Sequence, residues 1–564
     1  MADNVFRYAR SSAAPRVRSW SVRNFKAIDF AETPTTGLIA VAGANSSGKS
    51  SLLQSLLLVA QSGDQEVTLN GNLVRLGVPR DVVRSGANTL AITCTAETGP
   101  KDATSEWHVQ LTLRPTQDGL RVSECEIARD GIAVFSASDA RITENTRAQV
   151  DDERAYGDTL LRIREIAGKP APSRTYVIFN GFLPTVLHTR ADTEAVLREL
   201  RKTFSVEALR HDSAVADQFT DLVFTYLYRT QAEEEAGPLS NAVRQIIGGG
   251  LFRDQAREPL SRATIDVLLN ALAERGGGAA GQAIPIQSWM GSAPRRGASR
   301  HLLLNLSAVS AAYDALTIAR EVFVRAGQSI RYLGPLREEP QVVSKTGARS
   351  RQIPVGLRGE LTAELLSTRT SHVAYFDWEG NSRRSDLITA VSAWCAHLGI
   401  GEDVSVEDQG KLGRGLRITV NGTARDLTMV GVGASQLLPV VAAVLDAPEG
   451  SVVLLEQPEL HLHPSVQSRL GDLLIFARPD ICVIVETHSE YLITRIRRWV
   501  AEGRVKREKV HVLFAEPAVD GTEVRELRMS ELGNLDDWPA GFFDAQDGDA
   551  RAIVRAIAGR RERR

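Results

Sequence analysis

Eight residues near the start of the chain have the types and the spacing of a phosphate-binding loop. Residues 43–50 read GANSSGKS and match the pattern GxxxxGK[ST]. In this pattern glycines permit the turns that point backbone N–H groups at phosphate, the lysine contacts the β- and γ-phosphates, and the last hydroxyl coordinates Mg²⁺. Lys49 is therefore predicted to bind the phosphates of ATP, and Ser50 to bind Mg²⁺. The remaining predicted contacts are Gly43, Asn45, Ser46, Ser47, Gly48 and Ser51.

A second candidate site follows an apolar run late in the chain. Residues 451–464 read SVVLLEQPELHLHP, and the apolar run ends in Glu456. A strand of this kind delivers a carboxylate to Mg²⁺ and its water shell, so Glu456 is the predicted second ligand of the metal. The next residue is Gln457, where this pattern usually has a glutamate that polarises the attacking water, and an amide cannot accept that proton. Either hydrolysis is slow and the protein is an ATP-dependent switch, or another acid substitutes, for which Glu459 is the nearest candidate.

Glu459, His461 and His463 in the same segment could also form a metal site. Alternate residues point the same way only in an extended segment. Because the segment directly follows the predicted strand, a turn at a dimer interface is the favoured interpretation.

His488 follows another apolar run, in the segment ICVIVETHSEYL. The carboxyl end of a strand in an open α/β sheet is where ligands bind. We therefore predict that His488 hydrogen-bonds the γ-phosphate and responds to its loss. A histidine that only caps a helix or lies exposed is the alternative.

A glycine-rich turn in LTMVGVGASQLLPVV precedes the strand that ends at Glu456. It presents Gly433 and then Ser435 and Gln436 at a predicted helix start, where a hydroxyl and free N–H groups can bind an anion. An ordinary N-cap explains Ser435 equally well. The order of the segments along the chain has to decide between the two interpretations.

The elements that must position these residues form an α/β pattern with a long interruption. TGLIAVAG predicts a buried strand that leads into the phosphate loop, and residues 50–61 predict a buried helix. Antiparallel strands are predicted between about 89 and 128, helical segments from about 143, a strong helix over 302–326, and parallel strands at 452–456 and 481–486. The predicted domains are the N-terminal half of an ATPase domain (1–142), a mostly helical insertion (143–328), the C-terminal half (329–545) and a basic tail (546–564).

Composition restricts the function classes. The 564 residues carry a formal net charge of −2, so any nucleic-acid contact would require a local basic patch. Four distant cysteines without a CxxC pair argue against a zinc site or a disulfide framework and favour a reducing cytoplasm. No signal peptide and no apolar run of bilayer length are evident, so no membrane contact is expected. The arginine-rich residues 551–564 are interpreted as a solvated terminus rather than a phosphate contact.

The order of four segments, GANSSGKSS, GVGASQ, EQPELHLHP and ETHSE, resembles that of the ABC-like ATPases, which include the SMC, RecF and OLD (overcoming lysogenisation defect) proteins. More narrowly, three segments resemble a bacterial group of stand-alone AAA-type ATPases met in defence operons, with Septu-type ATPases as relatives. These segments are NGFLP (180–184), YLGPLREEP (332–340) and DDWPAGFFD (536–544). The resemblance covers both halves of the ATPase domain but little of the insertion.

The resemblance implies an ABC/SMC-like P-loop fold, with a mixed sheet flanked by helices and an antiparallel β subdomain. It also implies a homodimer, or a higher homo-oligomer, that encloses ATP. Gly433 and Ser435 of one subunit would then face the ATP held on Lys49 of the other. OLD-type nucleases carry a Toprim domain after the ATPase, and the residues that follow His488 are too few for such a domain. Nuclease activity is therefore expected in a separate effector protein.

The leading hypothesis is an ATP-gated dimer that senses or scaffolds and controls that effector in defence against phage. The alternative is a DNA repair or maintenance ATPase of the RecF or SMC type, for which nucleic acid is a direct partner. Heptads are not sustained in the insertion, which counts against a long coiled-coil arm and hence against the alternative. A transporter ATPase subunit is disfavoured because such subunits rarely carry so large a helical insertion.

Overall fold

The computed structural model divides the chain into two compact units. The P-loop unit comprises residues 17–63, 68–92 and 325–564, and the insert unit comprises residues 1–16, 64–67 and 93–324. The residues that the structure describes are 15–63, 66–100, 104–139, 159–171, 175–189, 193–211, 215–216, 219–220, 223, 261–276, 282–286, 307–344, 350–519, 521–536 and 552–556.

The described residues form strands with helices between them. The strands are β1 (Arg16–Phe25), β2 (Ile28–Pro34), β3 (Leu38–Gly43), β4 (Leu90–Thr98), β5 (Ser105–Pro115), β6 (Leu120–Arg129), β7 (Ile132–Ser138), β8 (Thr159–Ile166), β9 (Lys169–Pro170), β10 (Thr175–Asn180), β11 (Leu183–Thr189), β12 (Gln282–Pro285), β13 (Ile330–Leu333), β14 (Val373–Phe376), β15 (Ser382–Ser385), β16 (Asp403–Asp408), β17 (Arg414–Val420), β18 (Thr423–Asp426), β19 (Val452–Glu456), β20 (Cys482–Glu486), β21 (Val510–Ala518) and β22 (Gly521–Leu527). The α-helices are α1 (Lys49–Ser62), α2 (Pro79–Val82), α3 (Thr193–Thr203), α4 (Val206–His211), α5 (Arg262–Gly276), α6 (Ser307–Ser329), α7 (Thr362–Thr368), α8 (Leu387–Leu398), α9 (Val432–Asp446), α10 (Pro464–Phe476) and α11 (Glu490–Ala501).

A mixed sheet forms the centre of the P-loop unit. Its strands lie in the order β13, β19, β20, β3, β21, β22, β2, β1. The first five are parallel to one another, and β3, β13, β19 and β20 are buried along their whole length. Parallel strands covered on both faces need apolar residues at every position, which explains their continuous apolar sequences. Their carboxyl ends share one edge of the sheet, so the α/β prediction is confirmed and the predicted site residues gather there.

Helices α8, α10 and α11 are joined by one buried carboxylate. Asp472 of α10 is 1% exposed and accepts hydrogen bonds from His397 Nε2 at 2.9 Å, from Arg495 Nε and Nη2 at 2.8 Å each, and from Trp499 Nε1 at 2.6 Å. Burial alone would raise the pKa of Asp472, but these hydrogen bonds outweigh burial and hold the pKa below its usual value. The charge therefore stabilises the packing of the three helices.

Antiparallel strands dominate the described part of the insert unit. Neighbouring strands lie in the order β5, β6, β7, β8, β10, β11, β12. The prediction of a mostly helical insertion missed β8 to β12, although it found helices in the same region. The buried residues of β8, Leu161 and Ile163, alternate with exposed ones, and Gly181, at φ 55°, closes a tight hairpin between β10 and β11. Both are strand signals that the helical interpretation overlooked.

The units do not divide at the predicted domain boundaries. The insert unit begins at residue 93 and ends at residue 324, so β5, β6 and β7 lie in it rather than in an N-terminal half of 1–142. The helix expected over 302–326 is Ser307–Ser329, and residues 301–306 lie outside the described part of the chain. Of the predicted tail, only residues 552–556 are described, and they are helical and exposed. Among the described residues, no helix has both the length and the apolar character needed to cross a membrane.

Candidate nucleotide-binding site

The phosphate loop connects β3 to α1 and requires left-handed backbone at several positions. Gly43 has φ 145°, Ser46 φ 61° and Gly48 φ 88°. A Cβ atom on Gly43 would lie 2.2 Å from the carbonyl oxygen of Ala515, so this position accepts only glycine. No side chain caps the N-terminus of α1. Its free N–H groups and positive partial charge can therefore receive an anion.

Lys49 folds back onto the phosphate loop. Its Nζ donates hydrogen bonds to the carbonyl oxygens of Gly43 at 3.2 Å and Ala44 at 2.6 Å. The side chain is 4% exposed, and burial lowers its pKa while the nearby Glu486 raises it. Ser47 Oγ, in the same loop, is buried and has no hydrogen-bond partner among the described residues. The loop thus holds a cation and an unpaired hydroxyl at the end of the sheet.

Two carboxylates end adjacent strands next to this loop. Glu456, the last residue of β19, is paired in register with Glu486, the last residue of β20. Glu456 Oε1 accepts a hydrogen bond from the Tyr332 hydroxyl at 2.8 Å, and Glu486 Oε1 accepts one from Ser50 Oγ at 3.0 Å. Burial, together with the charge of Glu486, raises the pKa of Glu456 to about 7, and burial also raises the pKa of Glu486. Ser50 and Glu456, the predicted metal ligands, thus lie at one edge with a second acid.

Residues 457–463, which follow β19 and are here called the acid turn, form a turn rather than the extended conformation that a metal site would need. Gln457 has φ 44° and His461 φ 61°, and the Gln457 N–H donates to the carbonyl oxygen of Glu486 at 2.8 Å. His461 is exposed, while His463 caps α10 by accepting a hydrogen bond from the Ser465 N–H. In the part of the chain that the structure describes, no group of three or more His, Cys, Asp or Glu residues could hold a metal ion.

Glu459 and His488 meet at this turn. Glu459 is 6% exposed, and its Oε1 accepts a hydrogen bond from the His488 backbone N–H at 2.7 Å. Its Oε2 has no partner among the described residues. The His488 side chain is exposed, as the alternative interpretation expects, and its pKa is lowered by loss of hydration and by the charge of Lys49. This hydrogen bond therefore ties the acid turn to the His488 backbone, and the imidazole lies near the charge of Lys49.

The glycine-rich segment lies at the start of α9. Gly431 is the N-cap, so the N-cap interpretation of Ser435 is wrong: Ser435 Oγ donates instead to the carbonyl oxygen of Val432 at 2.7 Å, within the first turn of α9. Ser435 and Gln436 are buried. A Cβ atom on Gly433 would lie 3.4 Å from Leu462, which places this segment against the acid turn rather than in the loop of the same subunit.

Two residues of the site were missed by the sequence interpretation. Glu486 ends an apolar run just as Glu456 does, so the signal was present but was not used. The sequence indicated no role for Arg337, which lies within the segment YLGPLREEP. It is 6% exposed, and its Nη1 donates to the carbonyl oxygens of Pro335 at 2.8 Å, Glu456 at 3.0 Å and Gln457 at 3.3 Å. Burial lowers the pKa of Arg337 to about 10, although the charges of Glu459 and Glu456 act to raise it. The Nε and Nη2 atoms of Arg337 have no hydrogen-bond partner among the described residues.

Comparisons with known proteins agree with the class of fold. Residues 299–494 match a family model described as "AAA domain, putative AbiEii toxin, Type IV TA system", and residues 505–553 match DUF3696, a family of unknown function. The first match includes β19, the acid turn and His488, whereas the phosphate loop precedes it. A search of curated proteins found no significant match. The phosphate loop on a parallel sheet and the AAA match together support the P-loop ATPase class.

Solved structures of SMC head domains are also similar. The Smc head domain with an extended coiled coil, bound to the C-terminal domain of ScpA and derived from Pyrococcus furiosus, is 12% identical, with a TM-score of 0.34 over 96% of this chain and 100% of that one. The SMC head domain from Thermotoga maritima is 8% identical, with a TM-score of 0.32 over 91% and 98% of the two chains.

Proposed function

We propose that the P-loop unit binds Mg-ATP at the carboxyl edge of its sheet and that two copies of the chain close around the nucleotide. The observation that carries the proposal is the meeting of Lys49, Ser50, Glu456 and Glu486 at that edge. Ser50 and Glu486 are 436 residues apart in sequence, yet their side chains are hydrogen-bonded. A lysine, a hydroxyl, an open helix N-terminus and a carboxylate are the groups that a triphosphate and its metal require.

Unpaired buried atoms support the same ligand. Ser47 Oγ, Glu459 Oε2 and Glu486 Oε2 are buried without hydrogen-bond partners among the described residues. Buried polar atoms are normally paired, so these atoms fit a site that a polar ligand completes. When bound, Mg²⁺ would neutralise charge on the β- and γ-phosphates. Ser50 and Glu456 would hold it.

Each protein group has a role in this proposal. Lys49 leaves the two loop carbonyls and turns to the phosphates. The phosphates also accept hydrogen bonds from the N–H groups at the start of α1. His488 contacts the γ-phosphate. Because Glu459 holds the His488 backbone, loss of the γ-phosphate is transmitted to the acid turn. Gln457 orients water but does not take its proton, so turnover is slow and the protein acts as an ATP-dependent switch.

The surface next to the glycine-rich segment supports closure between two copies. Met429 and Val432, which flank the start of α9, are 76% and 53% exposed. Large apolar side chains that are exposed close together in sequence fit a protein interface. In a closed homodimer, Gly433 and Ser435 would face the nucleotide held by Lys49 of the other copy.

The proposed role of this switch is to control a separate effector, such as a nuclease, in antiviral defence within the cytoplasm. Two observations support it: the resemblance to ATPases of defence operons, and the family description that names AbiEii toxin and a type IV toxin–antitoxin system.

The test is ATP binding, ATP turnover and molecular mass of the purified chain, with and without duplex DNA. We expect tight Mg-ATP binding, slow turnover and ATP-dependent dimers, all lost in Lys49→Ala. Lys26→Ala is the matched control, because the Lys26 side chain is partly buried but bonds the Gln54 side chain rather than the loop carbonyls. In cells that carry the chain with its neighbouring genes, Lys49→Ala should also abolish protection from phage. Protection that survives this change would refute the switch, and fast turnover stimulated by DNA would support the RecF or SMC type of function instead.

A further inference from the structure

We infer that Glu486 belongs to the Mg²⁺ site, where it orients the Ser50 hydroxyl and adds a second carboxylate to that of Glu456. The inference rests on the proposed binding of Mg-ATP. It assigns a metal-site role to a residue that lies two positions before His488 and outside the acid turn.

The placement of Glu486 follows from strand register. It pairs with Glu456 across two adjacent parallel strands, and both residues are the last of their strands. Side chains of paired residues on neighbouring strands lie on the same face of a sheet. The two carboxylates therefore occupy equivalent positions at the edge that carries the phosphate loop.

The charges around Glu486 require a further cation. Glu456, Glu459 and Glu486 are 8%, 6% and 2% exposed, and the buried cations beside them are Lys49 and Arg337. Lys49 Nζ donates to backbone carbonyls, as does the only bonded nitrogen of Arg337. Within the described residues, neither cation forms an ion pair with a glutamate at hydrogen-bond distance. Carboxylates buried this deeply are normally paired with a cation or bound to a metal.

The free oxygen of Glu486 points to a ligand. Oε1 is taken by Ser50, and Oε2 is buried with no hydrogen bond of normal geometry from any described group, although the Gln457 side chain is nearby. An unpaired carboxylate oxygen at 2% exposure is costly unless something binds it. Mg²⁺ in nucleotide sites is held by one or two carboxylates together with phosphates and waters, so a second acid fits this metal.

The hydrogen bond to Ser50 gives Glu486 its role. The Ser50 hydroxyl has one hydrogen and two lone pairs. Because the hydrogen is donated to Glu486, the lone pairs are free to face the metal. A group that orients a metal ligand in this way typically contributes about 10–100-fold to metal affinity. Without a metal, the two carboxylates repel the triphosphate, so ATP binding should depend strongly on the divalent ion.

The experiment measures metal and nucleotide binding separately. Mn²⁺ is titrated into the full chain with ATP, and free Mn²⁺ is read by electron paramagnetic resonance; ATP affinity is then measured in Mg²⁺ and in EDTA. We expect Glu486→Gln to weaken Mn²⁺ binding about tenfold or more. The same variant should bind metal-free ATP more tightly than the wild type does, because a negative charge has been removed.

Three further variants make the result specific. Glu456→Gln should weaken Mn²⁺ binding as a positive control. Asp377→Asn removes a buried carboxylate that bonds Asn381 and Arg383 rather than Ser50, and should leave Mn²⁺ affinity within about threefold of the wild type. Glu486→Asp keeps the charge but draws the carboxylate back by one methylene, so it should bind Mn²⁺ more tightly than Glu486→Gln and more weakly than the wild type. It serves if the glutamine variant does not fold.

Two outcomes would overturn the inference. One is Mn²⁺ affinity in Glu486→Gln, or in Glu486→Asp where only that variant folds, equal to that of Asp377→Asn while Glu456→Gln loses Mn²⁺ affinity. The other is metal-free ATP affinity unchanged by Glu486→Gln. If the wild type binds no ATP with any divalent ion, the proposed function itself fails, and that result is distinct from both.

Discussion

Removing the Arg337 guanidinium should loosen the acid turn. In Arg337→Met the side chain keeps its length, but the carbonyl oxygens of Glu456 and Gln457 lose their donor, and the buried glutamates lose a neighbouring cation. A single nitrogen, Nη1, donates to all of these carbonyls. Its loss therefore removes about one hydrogen bond from a charged donor, which is roughly 1.5–3 kcal/mol of stability. Leaving opposing charges buried without their partner costs about 3–5 kcal/mol. The two effects overlap, so we expect a loss of about 3–5 kcal/mol, concentrated at the turn.

Hydrogen exchange measured by mass spectrometry on peptides that span residues 452–463 reports this local stability. Exchange there should accelerate in Arg337→Met, and ATP turnover should fall about a hundredfold because the turn no longer holds Gln457 in place. Arg337→Lys keeps the charge without the planar guanidinium, so its exchange rate and its ATP turnover should lie between those of the wild type and Arg337→Met. Arg358→Met is the control, since the Arg358 side chain is exposed and, among the described residues, donates only to the Leu336 carbonyl. The reasoning is refuted if Arg337→Met exchanges and hydrolyses like Arg358→Met.

Two other predictions concern the acid turn and the helices behind it. Gln457→Glu places a carboxylate where water is activated, so turnover should rise at least about tenfold in steady-state assays; an unchanged rate would mean that chemistry does not limit turnover. Asp472→Asn leaves Arg495 without its buried partner and should lower the free energy of unfolding at pH 7 by about 3 kcal/mol in urea denaturation. Because the folded-state pKa of Asp472 is lowered, its stabilisation is present above about pH 4 and is lost as the pH falls through the folded value, so the wild type and the variant should converge in acid. A difference in the free energy of unfolding between the wild type and Asp472→Asn that stays constant down to pH 3 would contradict this assignment.

Local patterns in the sequence were sufficient for the elements that carry the site. The helix predicted over 50–61 is α1, Lys49–Ser62, and the strands predicted at 452–456 and 481–486 are β19 and β20. These segments are apolar along their length and end at a glycine or an acid, which marks buried parallel strands and the edge where they stop. The α/β fold class follows directly from such signals.

Contacts between distant segments could not be predicted in the same way. Arg337 binds the carbonyl oxygen of Glu456 across 119 residues, and no periodicity around either residue indicates that contact. Strands β10 and β11 of the insert unit were missed for a different reason. In β10 and β11, Val177, Phe179 and Leu187 are buried together with their neighbours, so the alternation that identifies a strand is weak there. Tertiary burial, not local pattern, determines those elements.

The charge balance of the site relates Gln457 to Glu486. Three buried carboxylates already oppose two buried cations at the edge of the sheet. A glutamate at position 457 would add a fourth, and the Gln457 side chain lies close to Glu486. Like charges at that separation in a buried site are strongly unfavourable. An amide at 457 therefore fits a site whose additional carboxylate lies on β20, so the faster turnover expected of Gln457→Glu should be accompanied by lower stability of the metal-free protein. Combining it with Glu486→Gln should restore that stability.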